Sequence, residues 1–185
     1  MKIYYFVVIP TVCLLFFLPP CVAQPQNGSA ASEGRRISTG EFIRSPFGFA
    51  LTIENFEKRY GNTLKRQRYF TRNENNSAQT DTILKYYKGK TKVFFFKLGH
   101  AKYDGALIGA VIRTPAIELN NGIKTGMTKQ EFFGKFSDWQ YEESDTLILD
   151  LPYTSYTYNF VFKRNKLKLI KISPVMRRSS GETTE

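Results

Sequence analysis

Gly126-Met127-Thr128-Lys129-Gln130-Glu131-Phe132 reads as the opening of a helix. Thr128 is the cap, and Glu131 three residues on completes a capping box, in which each partner satisfies a backbone N–H that the first turn leaves unpaired. Met127 before the cap and Phe132 after it stand at the spacing of a hydrophobic staple. Phe132, Phe133 and Phe136 then supply an apolar face. The same pattern occurs 76 residues earlier. Thr52 caps a helix through Tyr60, Gly61 stops it, Leu51 and Phe56 take the staple positions, and Ile53, Phe56 and Tyr60 form the buried stripe.

Strands follow each helix. In the first half they are expected at residues 64–71, 81–87, 92–98 and 105–112, with an Asn-rich break at 73–77. In the second half they are expected at 145–151, 155–163 and 166–172. Asp81-Thr82-Ile83-Leu84 pairs with Asp145-Thr146-Leu147-Ile148 as the best residue match between halves. Along the second-last strand Tyr156, Tyr158, Phe160 and Phe162 alternate with Thr157, Asn159, Val161 and Lys163, and Asn165 sits in a tight turn after it. One face is thus core and the other wet, as in an antiparallel sheet covered on one side only. The expected fold is α+β, with two repeated units of a helix followed by antiparallel strands and the helices packed on one face of the sheet. Unit one runs over about 49–117 and unit two over about 123–173.

This order of helix and strands, given twice, together with the helix-opening phrase at 126–132, resembles the beta-lactamase-inhibitor-protein-like fold and the small outer-membrane assembly lipoproteins of the BamE/SmpA type. The resemblance covers about 49–172. It implies a non-catalytic binding scaffold whose open sheet face holds a partner. The chain differs from those families in having no cysteine beyond residue 21 and no small-residue approach to Cys21.

The ends read differently from this centre. Lys2 is the only charge before an apolar run from Ile3 to Leu18, Pro19 and Pro20 break any helix, and Cys21-Val22-Ala23 offers small residues where a signal peptidase reads. Residues 1–23 are therefore read as a secretory signal peptide, too short for a membrane span. Lipidation at Cys21 is the minority alternative. Residues 24–40 read as a flexible spacer, 41–176 as the α+β domain and 177–185 as a polar tail. The expected location is periplasmic or secreted, with no transmembrane segment in the mature chain. Both cysteines, Cys13 and Cys21, lie in the leader, which excludes a disulfide, a thiol nucleophile and a thiolate metal site from the mature protein.

The chain carries 27 Lys and Arg against 16 Asp and Glu, a net +11. That balance favours acidic partners, of which export makes nucleic acid the least natural, while most of the lysines are read as a solvated surface that keeps the protein soluble. The machinery for catalysis is thin. His100 is the sole histidine, with Asp104 the nearest acid, in a stretch read as a loop. No histidine pair exists for zinc. Glu142, Glu143 and Asp145 cluster without an EF-hand pattern, and no serine stands in a nucleophile elbow. No catalytic residue, metal or cofactor is expected.

Binding residues are easier to name. Trp139 and Tyr141 follow the second helix as exposed aromatic anchors, with core packing beneath the helix end as the competing role of both. Thr157, Asn159 and Lys163 lie on the wet side of the alternating strand, with Lys166 and Lys168 close by. Basic residues also interleave with aromatics at 65–72 and 85–92, a pattern that can hold anionic ligands but is read first as aromatics facing the core with lysines blunting exposed strand edges. The first reading is an exported module that binds a protein or an anionic envelope component. The alternatives are a secreted hydrolase of an acidic glycan and a binder of anionic lipid or polysaccharide.

Intact-mass measurement of the exported chain is expected to give an N-terminus at Gln24. A lipid-modified Cys21 would contradict this.

Overall fold

The computed structural model describes residues 35–73, 76–99, 105–152 and 154–175. The leader, most of the spacer, His100, Asp104 and the tail beyond residue 175 lie outside the described residues.

Among the described residues, three α-helices, one short 3-10 turn (Asn120–Gly122) and seven strands follow one another. Helix α1 (Thr39–Arg44) is capped by Ser38, whose hydroxyl accepts the Glu41 N–H at 3.0 Å. Helix α2 (Ile53–Tyr60) is capped by Thr52, which accepts the Asn55 N–H at 3.1 Å, and it buries Ile53, Phe56 and Tyr60. Strands β1 (Lys65–Arg72), β2 (Thr80–Lys88), β3 (Thr91–Lys97) and β4 (Ala106–Ile112) come next. Helix α3 (Lys129–Phe133) then leads to β5 (Thr146–Leu149), β6 (Tyr156–Lys163) and β7 (Lys166–Pro174). All seven strands form one antiparallel sheet in the order β1-β2-β3-β4-β7-β6-β5.

The phrase that opens α3 works as expected and does more besides. Thr128 Oγ1 accepts the Glu131 N–H at 3.2 Å, and Glu131 Oε2 accepts the Thr128 N–H at 2.6 Å, so both halves of the capping box are made. The same stretch is tied to the start of β7. Gly126 N–H donates to Leu167 O at 2.7 Å, Leu167 N–H donates to Met127 O at 2.9 Å, and Lys129 N–H donates to Asn165 O at 3.1 Å. The helix itself is only five residues long. Gly134 follows it, and Phe136 continues the apolar face from a turn rather than from the helix.

The register makes the two faces of the sheet explicit. Tyr86, Val93, Ala110, Ile172, Tyr158 and Leu149 are successive cross-strand partners from β2 to β5. Ile112, Ile170, Phe160 and Leu147 form a parallel row beside them. Every one of these side chains is buried. All three helices meet this face. Phe42 of α1 lies 5.4 Å from the Tyr158 ring, Phe56 of α2 lies 5.1 Å from both Tyr86 and Phe95, and Phe132 of α3 lies 4.7 Å from Phe160. Fully burying one such ring is worth about 1.5–3 kcal/mol, so this aromatic layer is a large part of what holds a disulfide-free domain together.

Two sequence readings need correction. The residues assigned to the end of the spacer are structured: Ile37 is buried and bridges Phe136, and α1 begins at Thr39. Small polar residues around a single apolar one hid a capped helix. The match of Asp81-Thr82-Ile83-Leu84 to Asp145-Thr146-Leu147-Ile148 is out of phase by one residue. Leu84 is buried, whereas Ile148 is 60 % exposed and its neighbour Leu147 is buried. A one-residue slip exchanges the two faces of a strand.

Replacing Thr128 by Ala is expected to cost about 1 kcal/mol, within the 0.5–2 kcal/mol span of such caps, and to lower the unfolding midpoint. The hydrogen bond from the Thr128 N–H holds the Glu131 carboxyl below the ordinary glutamate range, with the Thr128 hydroxyl assisting. Stability from the Glu131 half of the box is therefore present above that ordinary range and is lost as pH falls through the lowered folded value. Denaturant melts should show the gap between wild type and Glu131→Ala narrowing in acid. A gap independent of pH would contradict the box.

Candidate binding surface

Opposite the helices, the sheet carries a second set of side chains that no described element covers. Lys65, Tyr87, Lys92, Val111, Lys171, Asn159 and Ile148 are successive cross-strand partners, one from each of the seven strands. Lys65, Lys92 and Lys171 are exposed, Tyr87, Val111 and Asn159 are half-buried, and Ile148 is exposed. Beside this row lie Lys85 opposite Phe94 and Ile83 opposite Phe96, all half-buried. The Lys85 ammonium sits 5.1 Å from the centre of the Tyr87 ring. The surface is thus an apolar and aromatic strip crossed by cations. Such a surface can bury apolar area against a partner and attract negative charge to it.

The residues named from the sequence fall in three places. Thr157 and Asn159 lie on this open face, opposite Ser173 and Lys171. Lys163 and Lys166 pair with each other where β6 turns into β7. The turn is the two-residue Arg164-Asn165, both with positive φ as a tight hairpin of this hand requires. Lys168 is exposed and falls at the register shift where β7 bulges against β6. Trp139 is on the other side of the sheet. Its ring lies 5.2 Å from Phe136, 5.5 Å from Phe132 and 6.0 Å from Phe160, and its indole N–H donates to Glu142 Oε1 at 2.7 Å. Tyr141 is 59 % exposed and leans on Phe133 at 5.3 Å. Trp139 and Tyr141 line an open hollow of about 700 Å³ with Arg36, Gln130 and Asn165. The seven residues named from the sequence therefore do not form one site.

Sequence reasoning missed Ile83, Phe94, Phe96 and Val111. The signal was present in Val93-Phe94-Phe95-Phe96, an unbroken apolar run in which alternate residues must face opposite ways. Once Val93 and Phe95 are core, Phe94 and Phe96 belong to the open face.

Polar clusters elsewhere serve the structure. Glu57 accepts from Arg66 at 2.6 Å and from the Tyr86 hydroxyl at 2.7 Å. Burial opposes the charge on Glu57, but these two donors overcome it and hold the carboxyl below the ordinary glutamate range. Burial, reinforced by the Glu57 carboxylate, pushes the Tyr86 phenol up. Lys129 is buried, donates to Glu143 O at 2.8 Å and Asp145 Oδ1 at 3.3 Å, and lies over the Phe162 ring. The acidic cluster that follows Tyr141 is thus tied to α3 and to Trp139. Among the described residues, no three His, Cys, Asp or Glu side chains stand close enough to hold a metal ion, and no helix is long and apolar enough to cross a membrane.

No protein-family model, curated protein or solved structure matches this chain.

Proposed function

We propose that this chain is an exported, non-catalytic binding module that takes an acidic protein partner on the open face of its sheet. The observation that carries the reading is the seven-strand row from Lys65 to Ile148, where three exposed lysines alternate with apolar or aromatic side chains on a face left uncovered by every described element. Without Lys2 of the leader, 26 Lys and Arg against 16 Asp and Glu leave a net +10, which supports an acidic partner. The leader at residues 1–23 supports export to the periplasm or the medium.

The scaffold is proposed to be two units of one design. Its support is the sheet order, in which β2, β3 and β4 run inward from one side as β5, β6 and β7 run inward from the other. Helix α2 precedes the first set and α3 the second, each capped by a threonine. In this reading β1 is the additional strand of the first unit, and β4 meets β7 where the units join. A fold of the beta-lactamase-inhibitor-protein or BamE/SmpA kind is consistent with that arrangement and remains part of the proposal.

The test is recovery of a partner from the native cell envelope, followed by charge reversal of Lys92→Glu with Lys171→Glu. Both residues are exposed, so the variant is expected to fold with an unchanged unfolding midpoint. Affinity for the recovered protein should fall about tenfold or more, mostly through slower association, and wild-type binding should weaken as salt rises. Undiminished affinity in the double variant would place the site elsewhere. A hydrolytic activity lost on His100→Ala would overturn the non-catalytic reading.

A further inference from the structure

Strand β1 stands apart from the rest of the sheet. All eight of its residues are exposed on both sides, and it pairs with β2 alone through an unbroken register from Lys65–Tyr87 to Arg72–Thr80. Its outer edge therefore presents a row of backbone N–H and C=O groups, unpaired among the described residues, over roughly 26 Å. The edge on the far side of the sheet, β5, has only four residues. A short strand is one of the usual ways to blunt an edge, and β1 does not use it. Nor does it carry a proline, a glycine or a bulge.

The side chains of β1 say which strand would fit. Arg66 and Arg68 stand opposite Tyr86 and Leu84, so Arg66, Arg68, Phe70 and Arg72 face the helix side and Lys65, Gln67, Tyr69 and Thr71 face the open side. Phe70 is 68 % exposed, the most exposed of the large hydrophobic side chains described, and Tyr69 is 41 % exposed. The Arg68 guanidinium lies 5.9 Å from the centre of the Phe70 ring. Arg66 is held by Glu57 at 2.6 Å. Behind this edge, a hollow of about 340 Å³ is lined by Ile53, Arg66, Arg68, Thr82, Lys97 and Leu98. A second copy of this chain pairing antiparallel through β1 would set arginine against arginine, which destabilises a strand pair. The cations thus exclude self-pairing while leaving two aromatic rings exposed for a partner of opposite charge.

We infer that β1 is an acceptor edge for an extended acidic segment of another protein, which adds an eighth strand to the sheet. Carboxylates four residues apart on the incoming strand meet Arg68 and Arg72, and an apolar residue midway between them, on the same face, covers Phe70. Backbone pairing supplies the general affinity, and the alternating side chains supply the choice of partner. This inference rests on the proposed function only in taking the chain to act by binding, and it names a different surface from the open face.

The probe is the fluorescent octapeptide Thr-Glu-Thr-Val-Thr-Glu-Thr-Val, which sets glutamate and valine in turn along one face, measured by anisotropy against the full chain. Binding is expected, with affinity about tenfold or more lower for the lysine-for-glutamate peptide. Two further peptides are N-methylated on alternate amides, one on each edge of the strand. Only the peptide methylated on the edge facing β1 should lose binding. Arg68→Glu with Arg72→Glu should also abolish binding while keeping the wild-type circular dichroism and unfolding midpoint. Lys92→Glu with Lys171→Glu should leave peptide binding unchanged. Equal binding by the two methylated peptides would show charge attraction without strand pairing and overturn the inference. So would unchanged binding in the arginine variant, or self-association through β1 in sedimentation. Loss of peptide binding in the Lys92/Lys171 variant alone would move the peptide to the open face, ending this inference while leaving the proposed function standing.

Discussion

Everything in this fold depends on a seam three residue pairs long. Ala110–Ile172, Val111–Lys171 and Ile112–Ile170 are the pairings by which β4 meets β7, and they turn a four-stranded and a three-stranded group into one sheet. The seam is also where the two sides of the sheet are set. Ala110, Ile112, Ile170 and Ile172 are buried beneath the helices, whereas Val111 and Lys171 lie on the uncovered side. Because strand side chains alternate with a period of two, a seam displaced by one residue would put Lys171 into the core and bring isoleucines to the surface. The desolvation cost of a buried, unpaired lysine makes that alternative unfavourable by several kcal/mol. The same residues thus guard the register and create the surface.

Covering one face has consequences on both sides. On the helix side, three short helices must bury a wide sheet, and they do it with rings. Phe42, Phe56 and Phe132 each touch several aromatic side chains of the sheet or of the adjoining turns. None of these helices is long enough to be stable alone in water, so their capping and their aromatic contacts must act together. Ser38, Thr52 and Thr128 supply the caps. On the uncovered side, Ile83, Phe94, Phe96 and Val111 remain half-buried between lysines. The lysine stems cover part of that apolar area while their ammonium groups stay in water. The face can therefore be soluble and still lose apolar area to a partner.

Most strands were legible in the sequence because their patterns are local. The alternation from Tyr156 to Lys163 defines β6 and both of its faces, and the Thr128/Glu131 spacing defines the start of α3. What was not legible depends on pairing between distant residues. Helix α1 needed the bridge from Ile37 to Phe136 before its polar sequence could be told from a linker. The open face needed the register across the seam before Phe94, Val111 and Lys171 could be placed together. Trp139 carries no local sign of its side, and only the rings of Phe132, Phe136 and Phe160 show that it faces away from Thr157 and Asn159. Lys166 and Lys168 are near Asn159 in sequence but sit at the hairpin end and the bulge of β7.

The most direct measurement of the account is a cross-link through the middle of the open face. Val111 and Lys171 are directly opposed across the seam, and opposed residues of an antiparallel pair bring their Cβ atoms within reach of a disulfide. The measurement uses the double variant Val111→Cys with Lys171→Cys, in a chain whose Cys13 and Cys21 are replaced by serine. Mild oxidation of the folded monomer should give one intramolecular disulfide, seen as loss of both free thiols and a higher unfolding midpoint. Two thiols that remain free and react independently in the folded monomer would contradict the seam, and with it the seven-strand face.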